Sequence, residues 1–225
     1  MAYQNGPKII TDGLVLCLDA GNPKSYPGSG TVWTDLSRNG NNGTLTNGPT
    51  FNSANGGSIV FDASDDYVQC VGSITTTAAT FISWIRRNGS QAFNAGIIFS
   101  RGTSTTGLNF RRDVNEVGYH WNDSALTYNW VSGLVTPNLT WCMCAISVNS
   151  SSAVAYLCQS SGITSATNAI SHTSTTLDDI RIGWEESSST RRFNGNMAVA
   201  QIYNRALSAA EILQNYNATK GRFKL

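Results

Sequence analysis

Cleaving a glycosidic bond takes two carboxyl groups held either ~5 Å or ~6.5–9.5 Å apart. On a strand, that means acids two or four residues apart on one face. Only four glutamates are present: Glu116, Glu185, Glu186 and Glu211. Glu185 and Glu186 are neighbours, and neighbours on a strand point to opposite faces. Glu211 has another task, standing three residues after Ser208 at the spacing of a helix capping box. His120 and His172 have no nucleophile motif around them, and no G-x-S-x-G elbow occurs. The chain reads as a non-enzyme.

Recognition fits better than reaction. A sugar is gripped by an aromatic face against the apolar side of its ring, with amide and carboxylate groups alongside. The stretch "GYHWNDSALTYNW" supplies Tyr119, Trp121, Asn122, Asp123, Tyr128 and Trp130 in one hairpin-like run. Core packing is the competing use of the same rings, because a Trp on a sandwich strand is usually buried. Composition also points both ways. Charged residues make up 13% of the chain and the net charge is +1, so the polar surface comes from Ser, Thr, Asn and Gly. Such a surface suits hydrogen bonding to sugars and equally suits a plain sandwich. The charge balance implies neither nucleic acid nor an anionic membrane as partner. No apolar run approaches the ~20 residues of a membrane-spanning helix. "MAYQNGPKIITDG" lacks the charged and apolar regions of a signal peptide, so assembly in a cytoplasm is expected.

The elements that must position these residues are strands. Asn-Gly occurs seven times, and its tolerance of positive φ makes it the signature of tight hairpin turns. Between these turns lie eleven runs of strand character: "LVLCLDA", "SIVFD", "YVQCVG", "TFISWIRR", "GIIFSRG", "LNFRRD", "EVGYHWN", "WCMCAISV", "AVAYLCQ", "IRIGW" and "MAVAQIYN". They call for an all-β fold of two packed antiparallel sheets. Leu14, Leu16 and Leu18 share a face. In "WCMCAISV" neither face is polar, as expected of a strand covered on both sides. The irregular stretch 22–57 is long enough to need pinning, for which Tyr26, Trp33, Leu36, Leu45 and Phe51 are available. The five cysteines sit within strands and read as buried thiols; Cys142 and Cys158 would cross-link only if they faced each other across a hairpin. The chain then closes on one helix. Ser208 and Glu211 form its capping box, Leu207 and Ile212 its hydrophobic staple, and Gly221 stands where a left-handed stop would fall. Its apolar stripe of Ile212, Leu213 and Tyr216 must dock on something larger.

Four stretches carry a resemblance. "LVLCLDAGNPKSYPGSGTVWTDLSRNGNNGTLTNGPTF", "GSIVFDASDDYVQC", "TWCMCAISVNSSSAVAYLC" and "RFNGNMAVAQIYNRALSAAEI" together resemble the concanavalin A-like or laminin G-like jelly rolls over about residues 13–218. The resemblance implies an antiparallel two-sheet jelly-roll sandwich with a short capped C-terminal helix, flanked by an arm (1–12) and a tail (219–225) that are free to anchor a neighbour. The family's hydrolytic members carry acids alternating as E-x-D on one strand, and no such run exists here. Its lectin members often hold calcium at the sandwich rim. Asp62, Asp65 and Asp66 in "FDASDDYV" would supply oxygens for it, as would Asp178 and Asp179; the first three equally suit a turn bonded to its own backbone. The wording of "SYPGSGTVWTDLSRNGNNGTL" and "NYNATKGRF" is similar to lectin-like structural proteins of tailed phages. That likeness implies a virion protein on capsid or tail, with other virion proteins, cell-surface glycans and further copies of itself as partners.

Overall fold

The computed structural model describes residues 7–111 and 115–225. Its strands, in chain order, are β1 (Leu14–Asp19), β2 (Val32–Trp33), β3 (Gly43–Thr46), β4 (Thr50–Asn52), β5 (Ser58–Asp62), β6 (Tyr67–Cys70), β7 (Ile74–Thr76), β8 (Ala79–Arg87), β9 (Gly96–Ser100), β10 (Thr106–Arg111) and β11 (Glu116–His120). A one-turn helix, α1 (Ala125–Tyr128), follows. Then come β12 (Cys142–Val148), β13 (Ala153–Gln159), β14 (Gly162–Asn168), β15 (Thr175–Leu177), β16 (Ile180–Ile182), β17 (Asn194–Tyr203) and the closing helix α2 (Ala209–Thr219). All eleven expected runs are strands.

One sheet has the order β14-β13-β12-β8-β17-β5-β4, with β1 also pairing to β17. The ten residues of β17 serve two partners on one edge: Asn194–Met197 pairs with β5, and the stretch from Val199 to Tyr203 pairs with β1. The other large sheet runs β11-β10-β9-β16-β6-β3-β2, and β7 and β15 form a separate ribbon. Every pairing within these strands is antiparallel.

Alternation sorts β12 between two cores. Cys142, Cys144, Ile146 and Val148 enter the layer between the sheets, while Met143 and Ala145 join a second cluster on the outer face, beneath α2. Apolar residues on both faces of this strand therefore reflect two coverings. Cys158 pairs with Met143 and lies in the outer cluster, so Cys142 and Cys158 occupy opposite faces of the sheet and all five cysteines are free thiols. A bulge between Leu14 and Leu16 breaks the expected alternation of β1. Leu16 and Leu18 point into the inter-sheet core, whereas Leu14 packs with the outer cluster.

The stretch 22–57 is pinned by burial of Tyr26, Trp33 and Leu45, with Phe51 packed against Tyr26 at 5.4 Å. Leu36 is only half-buried. A buried carboxylate works there beside the apolar anchors. Asp35 accepts from the Cys17 N–H (2.8 Å), the Ser37 N–H (2.9 Å) and Oγ (2.7 Å), and the Asn41 N–H (3.0 Å). It ties the long loop to the first strand.

The closing helix has both halves of its capping box. The Glu211 N–H donates to Ser208 Oγ (3.3 Å) and the Ser208 N–H donates to the Glu211 carboxylate (2.8 Å). Leu207 and Ile212 are buried together. Arg205 adds a two-pronged pair to Glu211 at 2.7 and 3.1 Å, and with the Ser208 bonds it holds that carboxyl down near 2. Gly221 does not stop the helix. The chain continues as a 3-10 turn over Lys220–Phe223, and the left-handed residue is Lys224 at φ 59°. Phe223 stacks on Trp84 with ring centroids 4.2 Å apart and lies 4.7 Å from Trp141, while Arg222 donates to Asp19 and to the Asn55 carbonyl. Residues 220–225 are thus a packed layer instead of a free tail. Residues 7–12 of the expected arm run beside α2, with the Ile10 N–H on Asn215 Oδ1 at 2.7 Å and Gln214 Nε2 on the Lys8 carbonyl at 2.8 Å; residues 1–6 lie outside the described residues.

Candidate functional site

The alternation of β11 splits the aromatic run in two. Val117, Tyr119 and Trp121 point into the inter-sheet core, leaving Tyr119 1% and Trp121 2% exposed. Neither ring can stack on a sugar, which corrects the expectation for these two residues. Their polar atoms are spent internally. Tyr119 Oη accepts from Asn168 Nδ2 (2.9 Å) and bonds His172 Nε2 (3.0 Å), and burial pushes its phenol up to about 12. Trp121 Nε1 donates to the Thr173 carbonyl at 2.7 Å. Half-buried Trp130 lies edge-on to Tyr119, and the Asn122 amide pins the same loop through Thr173 Oγ1 and the Ser174 carbonyl. Tyr119 and Trp121 are core residues, and Trp130 and Asn122 pack and bond against their surroundings from the partly exposed side.

Asp123 and Tyr128 behave differently. With residue 120 out of phase with the buried pair, His120 turns to the outer face, and Asp123 and Tyr128 close around it. Four segments meet here in a pocket of about 290 Å³. The β8–β9 connection brings Phe93 and Asn94, and the residue after β9 brings Arg101. The β11–α1 segment brings His120, Asp123 and Tyr128, and the β16–β17 connection brings Ser187 and Arg191.

His120 is 3% exposed, with its ring 5.0 Å from Phe99 and 5.2 Å from Tyr128. Neither ring nitrogen has a hydrogen-bond partner among the described residues; the nearest carboxylate, Asp123, stands 3.8 Å from Nδ1. Burial pushes the imidazole down to about 4, so it is neutral at pH 7. Beside the pocket Glu185, at 0% exposure, accepts from Arg101 Nη1 (3.0 Å), Arg191 Nη1 and the Ser187 N–H (3.0 Å). Burial alone would raise its carboxyl, but the bonds from Ser187 and Arg191 outweigh burial and hold it low. It is a structural anion with no proton to give. Glu186 faces elsewhere, paired to Arg181 at 2.8 Å; the two glutamates lie in the β16–β17 connection and not on a strand as expected.

The acidic turn does the backbone work open to it. Asp62 Oδ1 accepts from the Ser64 N–H (2.7 Å), Asp66 Oδ2 from the Asp62 N–H (3.1 Å), and the Asp65 carbonyl from Arg192 Nη1 (2.7 Å). The three carboxylates still bring oxygens within 4.8 Å of one another. Burial, with Asp62 and Asp65 adding repulsion, pushes Asp66 up to about 6. Hard oxygens in this number fit calcium's preference, although it wants six to eight in all. Asp178 is held by the Thr103 N–H and Oγ1, and Asp179 by Arg181 and Gln69.

Sequence reasoning missed Phe93, Arg101, Ser187 and Arg191, which come from three distant connections. His120 was within reach: once Tyr119 and Trp121 are assigned inward, period-two alternation sends the residue between them outward.

The fold is that of a lectin-type jelly roll, and a family model agrees. The concanavalin A-like lectin/glucanase superfamily model matches residues 61–213, and the chain belongs to that superfamily. Among curated proteins none matches the chain significantly. Solved structures share the fold at low identity. Domain 4 of AbnA, a GH43 extracellular arabinanase from Geobacillus stearothermophilus, solved in complex with arabinotriose, has a TM-score of 0.65 at 15% identity, covering 91% of this chain and 98% of that one. Trypanosoma rangeli sialidase in complex with sialic acid has a TM-score of 0.65 at 11% identity over 97% of this chain, which spans only 36% of the sialidase. The binding domain of Paraclostridial Mosquitocidal Protein 1 has a TM-score of 0.58 at 15% identity, covering 91% of this chain and 52% of that one.

Proposed function

We propose that this chain is a non-enzymatic, lectin-like display domain whose pocket at His120, Asp123 and Tyr128 binds glycans. The observation that carries this reading is the meeting of two aromatic rings, Phe93 and Tyr128, with hydrogen-bonding groups of both senses in one pocket. Glu185 speaks against hydrolysis, because it is sealed between two guanidiniums with both oxygens occupied. A glycan array tests the reading directly. Binding that is lost on Tyr128→Ala supports it, and silence across the array overturns it. Turnover of an oligosaccharide that disappears in Glu185→Gln would instead make the chain an enzyme.

The finer proposal is that the domain is a structural protein of a tailed phage, assembled in the host cytoplasm and displayed on capsid or tail beside other virion proteins. It is supported by the likeness of the residue 25–45 and 215–223 wording to such proteins. Mass spectrometry of purified virions checks it, and absence of the polypeptide from the particle refutes it. A stand-alone adhesin with the same pocket is the second reading, favoured by the likeness to the arabinanase domain solved with arabinotriose. Any calcium would be held by the Asp62, Asp65 and Asp66 carboxylates, where a cation would relieve their mutual repulsion.

A further inference from the structure

Resting on the reading that this pocket binds glycans, we infer that its ligand is an uncharged sugar gripped through a pair of hydroxyls, and that Asp123 turns acidic sugars away. A sugar hydroxyl both donates and accepts, so a site built for it must offer both functions, whereas a site built for a carboxylate offers donors alone. This pocket offers both. A neutral imidazole carries one N–H and one bare nitrogen, and His120 leaves both without a partner although it is almost fully buried on the pocket wall. A buried ring nitrogen left unpaired is costly, and a ligand hydroxyl drawn onto Nδ1, the nitrogen beside the rim residue Asp123, removes part of that cost. Asp123, exposed at the rim 3.8 Å from Nδ1, adds a second acceptor.

Donors come from the guanidiniums. Arg101 and Arg191 each use Nη1 on Glu185, and neither makes a further hydrogen bond to that carboxylate. Both guanidiniums pair with Glu185, and with Asp123 at the rim two cations are matched by two carboxylates, so the pocket carries no net formal charge to attract an anion. A carboxylated sugar entering it would meet Asp123 at short range without a compensating free charge. Phe93, 45% exposed with the Arg191 guanidinium 5.2 Å from its ring, and Tyr128, packed on His120, line the pocket with the aromatic surface that a pyranose or furanose needs.

The test is a glycan array carrying neutral oligosaccharides together with their sialylated or uronate-containing counterparts, followed by calorimetry on any hit. It uses the full chain, Asp123→Asn and His120→Gln, with circular dichroism to confirm that each variant is folded. The full chain is expected to bind neutral glycans at least about tenfold more tightly than their acidic counterparts. Asp123→Asn should narrow that gap, and folded His120→Gln should weaken neutral binding by about tenfold. Because Asp123 is exposed, its variant remains informative if His120→Gln does not fold. Preference for the acidic member of a pair, or neutral binding that neither variant alters, overturns this inference while leaving glycan binding intact. No binding to either class overturns the underlying reading itself.

Discussion

His120 makes acid sensitivity the sharpest consequence of the pocket. In the unfolded chain its imidazole titrates near the ordinary 6.5, whereas burial in the fold brings it to about 4. Below pH 6.5 the unfolded state takes up a proton that the folded state refuses. Native stability is therefore complete above 6.5 and is lost as pH falls toward 4. A gap of about 2.5 units corresponds to about 3 kcal/mol when fully expressed, and to about 2.5 kcal/mol at pH 4.5. The assay is urea unfolding at pH 7.5 and 4.5 for the full chain and for His120→Gln. The full chain should lose about 2.5 kcal/mol more than the variant across that interval, equivalent to about 5–10 °C in melting temperature for a chain of this size. Asp66 works in the opposite sense, since its raised carboxyl is relieved by protonation as pH falls below about 6, but both proteins carry it and the comparison removes it. Parallel losses within about 0.5 kcal/mol would show that water or a hydrogen-bonding partner reaches the imidazole, and would refute the dry, unpartnered ring.

The remaining predictions concern the scaffold and the acidic turn. Phe223→Ala removes a ring stacked on Trp84 and should cost about 3 kcal/mol, or ~6–12 °C by differential scanning calorimetry; a shift under 1 °C would mean that residues 220–225 are not a packed layer. Asp35→Ala strips the acceptor from three backbone N–H groups and one hydroxyl and should cost about 3 kcal/mol by urea unfolding; a change within about 0.5 kcal/mol would show the loop is held by its apolar anchors alone. Ser208→Ala should cost about 1 kcal/mol through the helix cap, checked the same way. Adding millimolar calcium should raise the melting temperature of the full chain but not of Asp66→Asn, and equal responses would place any calcium effect elsewhere.

Much of the fold was legible because it rests on local rules. Asn-Gly turns and period-two runs located eleven strands, and the Ser208–Glu211 box with its Leu207–Ile212 staple located the start of α2. Each signal lies within a few residues of the structure it specifies. The six strands not anticipated are β2, β3, β4, β7, β14 and β15. Two-to-four-residue strands cannot display a period, and "GITSATN" in β14 is a polar edge with no buried face to betray it. The stop at Gly221 was misplaced for a tertiary reason: Phe223, stacked on Trp84 and packed against Trp141, draws the chain onward through a 3-10 turn to the left-handed Lys224.

What the sequence alone determined, then, is the set of pieces: strand runs, turns and a capped helix. Those depend on side-chain type and short-range spacing, which a linear string preserves. Only the tertiary structure decided which face of β11 looks outward, that Tyr119 and Trp121 are core while His120 lines a pocket, and that Glu185 is neutralised by Arg101 and Arg191. The phase of a strand is set by what covers it. A pocket assembled from four connections has no trace in the order of its residues, because its distances exist only once both sheets have closed.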